Sequence, residues 1–97
     1  MRVKRHKVPY TYDVGGRRGR DKVVVLRDGP AIGFVFPSGS DWQFRTDEVR
    51  AALDGGTGGP SGFRMSKSGG DLHVAVTTPE GSGVVRISAS KMRSVTR

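Results

Sequence analysis

Three clusters of cations dominate what this chain could do chemically. "RVKRHK" supplies Arg2, Lys4, Arg5 and Lys7, "GGRRGRDK" supplies Arg17, Arg18, Arg20 and Lys22, and the last segment supplies Arg86, Lys91, Arg93 and Arg97. Lysines and arginines that neutralise phosphates release condensed counterions, which drives nucleic-acid binding without sequence preference. Glycine between arginines lets a backbone approach a groove, and guanidiniums stack on bases as well as pairing with phosphates. Tyr10 and Tyr12 lie between the first two clusters, where their rings could stack on bases. Phe34, Phe36, Trp42, Phe44 and Phe63 alternate along strand-like segments and are read as core.

Other chemistry finds little support. His6 and His73 have no ligand-type neighbour at metal spacing, and there is no cysteine to make a thiolate site, a disulfide or a nucleophile. Asp28, Asp54 and Asp71 sit in turn sequences, where carboxylates bond the local backbone. Asp47 and Glu48 open a helical segment and oppose its dipole. No nucleophile elbow, metalloprotease, P-loop or dinucleotide motif occurs. The expectation is a chain that is not an enzyme and uses no cofactor or metal.

The elements that must hold these residues read as mostly β. Residues 1–21 have the composition of a basic N-terminal arm, ordered around "VPYTYDV", where Val8, Tyr10, Tyr12 and Val14 alternate with polar residues. "KVVVLR" is apolar on both faces, as a buried strand is. "AIGFVF" and "WQFR" continue a meander through two turns. "TDEVRAALDGG" carries a Val49, Ala52, Leu53 stripe, a Thr46 cap and a terminating Gly55, which marks a short helix. "DGGTGGPSG", residues 54–62, is a glycine-rich linker. "FRMSK", "LHVAVTT" and "VVRIS" are three more strands, and 89–96 reads as either a helix or a last strand.

The two halves also align as a candidate ββ(β)α duplication. Ile32, Phe34 and Pro37 precede Val74, Val76 and Pro79 by 42 residues; after one inserted residue, Trp42, Phe44 and Val49 fall on Val85, Ile87 and Met92. The expected fold is therefore mainly β (α+β): a small antiparallel sheet or open barrel with one short helix, forming a single domain over residues 22–97.

Charge is unevenly spread over the 97 residues. The net charge is +8; residues 1–22 carry +6, residues 23–82 carry −2 and residues 83–97 carry +4. Basic ends on a near-neutral body suggest a polyanion partner. The reading that follows is a small nucleic-acid-binding module, for DNA or RNA, that contacts phosphates through its arm and C-terminal segment. The alternative is a protein-interaction or assembly module, regulatory or phage-encoded, dimerising through open sheet edges. No apolar run approaches the ~20 residues of a membrane span, so a cytoplasmic protein without a membrane partner is expected. The Val-, Gly-, Arg- and Asp-rich composition suits a high-GC bacterium or its phage.

Overall fold

The computed structural model describes residues 3–59, 62–78 and 81–97. The chain runs β1 (Lys4–Val14), β2 (Arg17–Asp28), β3 (Ala31–Val35), β4 (Asp41–Arg45), α1 (Thr46–Leu53), β5 (Phe63–Ser68), β6 (Asp71–Thr78), β7 (Gly81–Ser88) and α2 (Ala89–Val95). Every pairing is antiparallel, and the seven strands form one sheet in the order β4-β3-β2-β1-β7-β6-β5. The sheet curls into a half-barrel, the mainly β fold that the alternating segments predict. Its concave face carries the core: Val8, Val25, Ile32, Phe34, Val74 and Ile87 are all buried. The edge strands approach each other across the opening, where Phe63 of β5 meets Trp42 and Phe44 of β4 with ring centroids 5.2 Å apart in each pair.

The segment expected as an arm lies at the centre of the sheet. β1 pairs with β2 over its whole length, from Lys4↔Arg27 to Val14↔Arg17, and with β7 from Tyr10↔Ile87 to Val14↔Gly83. The expected boundary between residues 21 and 22 thus falls inside β2. The cause is the two-residue turn at Gly15 and Gly16, with φ +59° and +80°. Positive φ at both central positions gives the turn a twist that matches paired strands, and only glycine adopts it cheaply. The arginines that follow continue a strand.

"KVVVLR" is covered on only one face. Val23 and Val25 are fully buried, whereas Val24 and Leu26 sit half-buried on the convex side, next to the 40% exposed Val35.

The duplication is visible in space. β2-β3-β4-α1 and β5-β6-β7-α2 are two meanders, each ending in a helix, and they occupy the sheet in the same left-to-right order on either side of β1. Ile32 and Phe34 face inward as Val74 and Val76 do, and Val49 and Met92 are both fully buried. α2 forms where the sequence left helix and strand both open. Its residues are weak helix formers, but Ala89, Met92 and Val95 share one face and bury it against the sheet. In α1, Thr46 is the first helical residue rather than the cap; its buried hydroxyl donates to the Gly29 carbonyl at 2.9 Å. The backbone N–H of Arg45 donates to Glu48 Oε1 at 2.9 Å. Gly55 and Gly56 close the helix by donating to the carbonyls of Ala52 and Ala51.

The two helix ends exchange equivalent contacts. Arg50 of α1 donates from Nε to the Thr96 carbonyl at 2.6 Å, and Arg93 of α2 donates from a terminal guanidinium nitrogen to the Leu53 carbonyl at 2.7 Å. Donors and acceptors are each related by the same 43-residue offset that relates Val49 to Met92. Each guanidinium satisfies a carbonyl left open at the other helix's C-terminus and opposes its negative end. Arg50→Ala and Arg93→Ala are each expected to cost about 1 kcal/mol, lowering the melting temperature by about 4–8 °C. Thermal melts of the two variants should match; a loss from one alone would show that the exchange is not reciprocal in solution.

Candidate functional site

Strand parity sorts the candidate residues between two faces. In β1, Val8, Tyr10 and Tyr12 point into the half-barrel, which puts Arg5, Lys7, Pro9, Thr11 and Asp13 on the convex side. In β2, Val23 and Val25 point inward, so Arg18, Arg20 and Lys22 share the convex side and Arg17 does not. The register places Arg20 opposite Thr11 on one flank, and Arg86 of β7 opposite the same Thr11 on the other. Lys22 lies opposite Pro9 in the next row. A shallow depression around Pro9 and Thr11 is bounded by Arg20, Lys22 and Arg86, with Asp21, Asp71 and Ser88 at its margin. Thr11 between two arginines could not have been found from spacing alone, because Arg86 lies 75 residues away in sequence.

The remaining cations are elsewhere. Arg17 and Arg18 follow directly on the hairpin turn, whereas the register puts Lys4 and Arg27 at the far end of the same hairpin, about 33 Å of strand away. The C-terminus belongs to that far end, since Arg27 donates to the carbonyls of Val95 (2.9 Å) and Arg97. Arg93 is held between the Leu53 carbonyl and Asp54, 3.6 Å away. Lys91 is exposed on α2. Arg2 lies outside the described residues. Arg18 pairs with Asp13 at 3.2 Å, an exposed contact of little energetic weight. The expected convergence of the two basic ends is thus partial: Arg20 and Lys22 meet Arg86 on the convex face, whereas Arg17 faces inward, Arg18 pairs with Asp13, and Arg93 is held at the helix ends.

Tyr10 and Tyr12 are not on the basic face. Tyr10 is buried, with its ring edge-on to Phe36 at 5.2 Å. Burial pushes its phenol above the ordinary tyrosine range, and the nearby Asp21 and Tyr12 add to the shift. The Tyr12 ring lies over Gly19, where an added Cβ would fall 2.5 Å from Tyr12 Oη. Both tyrosines line an open cleft at the hairpin end of the concave face, together with Phe36, Trp42 and Phe63. Trp42 and Phe63, which strand alternation reads as core, pack against the core but are only half-buried there. Their strand parity was legible; the open mouth of the half-barrel was not.

His6 also faces inward, opposite Val25, and its Nε2 is buried without a hydrogen-bond partner. His73 lies on the convex side, opposite Arg86. Among the described residues no group of three or more His, Asp or Glu could hold a metal ion, and no helix is long and apolar enough to cross a membrane.

No protein-family model and no curated protein matches the chain. A solved structure of SsgB, from work on SsgB mutations that correlate with longitudinal cell division during sporulation of Streptomyces coelicolor, has the same fold. The TM-score is 0.82 at 17% identity, over 98% of this chain and 82% of that one. This corrects the nucleic-acid expectation. The fold is shared with SsgB, Arg17 and Arg18 lie at the end of the hairpin opposite Lys4 and the C-terminus, and the rings expected to stack on bases face away from the convex arginines.

Proposed function

We propose that the chain is a non-catalytic protein-interaction module acting in bacterial cell division. The observation that carries this reading is the likeness to SsgB over nearly the whole chain. The architecture is compatible with it: a stiff, continuously paired sheet presents one face with exposed cations and uncovered valines and one open aromatic cleft. Interfaces are enriched in Trp, Tyr and Arg; the convex face provides the arginines and the cleft provides the tyrosines and the tryptophan.

The test is made in the organism that carries the chain. A fluorescent fusion is expected to concentrate at division septa, and deletion is expected to change where or in which plane septa form. Fluorescence that is uniform or follows the nucleoid, with unaltered septa after deletion, would overturn the reading.

A further inference from the structure

We infer that the convex face around Thr11 receives an acidic segment of a protein partner, with Arg20 and Arg86 as its two carboxylate clamps. This rests on the interaction-module reading and names the chemistry of the partner. Arg20 and Arg86 stand on β2 and β7, one strand to either side of Thr11. Two strand spacings separate their backbones, about 10 Å. Carboxylates at alternate positions of an extended segment are about 7 Å apart, a gap that two long side chains close. Each guanidinium presents a planar fork that matches a carboxylate bidentately, and Thr11 offers a hydroxyl between them.

Neither guanidinium is already engaged. Among the described residues the ion pairs are Arg18–Asp13, Arg45–Asp47 and Arg93–Asp54, and none involves Arg20, Lys22 or Arg86. Asp21 and Asp71 border the depression, but neither is within salt-bridge distance of those cations.

The apolar pattern points to protein rather than nucleic acid. "KVVVLR" is apolar on both faces, yet the fold covers only one, leaving Val24, Leu26 and Val35 on the convex side beside Lys7, which pairs with Val24. Uncovered valines next to unpaired cations match a partner that offers carboxylates and aliphatic side chains together. Tyr10 borders the depression from beneath, but its ring is buried on the concave side, and no other aromatic of β1, β2 or β7 is placed to stack on a base there.

The test uses the full chain and a fluorescein-labelled dodecapeptide of Asp, Glu, Leu and Val. Anisotropy should show salt-sensitive binding. The Arg20→Gln/Arg86→Gln variant should bind at least about tenfold more weakly, with an unchanged melting temperature. Lys67→Gln, on the edge strand β5 three strands from β1, should bind as the wild type does. Amide shifts on peptide addition should centre on Thr11, Arg20 and Arg86. Equal binding of the Asn/Gln version of the peptide, equal binding by the double variant, or tighter binding of a single-stranded oligonucleotide at the same amides would each overturn the proposal. In cells, a double variant that still concentrates at septa like the wild type would sink this inference and leave the module reading standing. A wild-type fusion that never reaches septa would sink the module reading, while the peptide titration would still decide the site.

Discussion

Replacing Phe34 by alanine is expected to cost about 3–5 kcal/mol, the largest effect of any single substitution considered. Phe34 is fully buried in β3, between Val25 of β2 and Trp42 of β4. Its ring packs on Trp42 at 6.0 Å and edge-on to Phe44 at 5.4 Å, and Phe44 continues the cluster to Phe63 across the sheet opening. Truncation therefore leaves a cavity between strands that cannot close without unbending the sheet. A domain of this size typically has about 5–15 kcal/mol of stability, so the variant should lose about a fifth of it or more. Urea unfolding followed by the single tryptophan, Trp42, measures the change in a residue that touches the cavity. The neighbouring Val35→Ala, on the opposite face and 40% exposed, should stay within about 0.5 kcal/mol of the wild type. Similar costs at the two positions would mean that β3 is out of the described register, because a one-residue slip exchanges the faces.

That contrast also marks what the sequence made legible. Alternation placed Ile32, Phe34, Val74 and Val76 on the inside, and the 42- to 43-residue offset carried the same pattern from one half to the other. Such positions are readable because side-chain direction in a strand has a period of two. The hairpin of β1 and β2 was equally readable in principle. "VGGR" is a two-glycine turn between alternating segments. The arginines after it have the composition of a basic arm, and an arm has no sidedness to assign to its cations. Once β2 is a strand, Arg17 and Arg18 must point to opposite faces, and Arg18, Arg20 and Lys22 to one.

Other features need three-dimensional closure and leave no local trace. Arg50 and Arg93 find each other's helix ends only because the two meanders curl around a common core. Their sequence surroundings, "EVRAAL" and "KMRSVT", share little beyond the arginine. The meeting of Arg20 and Arg86 across Thr11 depends on β7 pairing with β1 rather than closing the sheet elsewhere. The half-exposure of Trp42 and Phe63 depends on the helices packing toward the end where Arg27 and the C-terminus meet, leaving the hairpin end of the cavity open.

Two strand glycines should respond unequally to the same added methyl group. At Gly83 an alanine Cβ would fall 2.6 Å from Val14 Cγ2 and 2.7 Å from Val14 Cα. The second atom is backbone, so β1 and β7 must separate, and they pair only over Tyr10–Val14. Gly83→Ala is expected to cost about 2–3 kcal/mol, at the upper end for overpacking, or about 10–20 °C of melting temperature. At Gly19 the nearest atoms are Oη, Cζ and Cε1 of Tyr12, the free end of a side chain. That ring can swing into the open cleft, so Gly19→Ala should cost about 1 kcal/mol or less. It should also shift the ring resonances of Tyr12 in an NMR spectrum, which Gly83→Ala need not do. Adding Val14→Ala to Gly83→Ala removes the Cγ2 clash but not the Cα clash, so recovery should be partial. Full recovery would locate the strain in the side chain alone, and a Gly19→Ala loss as large as that at Gly83 would mean that Tyr12 is locked in the cleft rather than free to leave it.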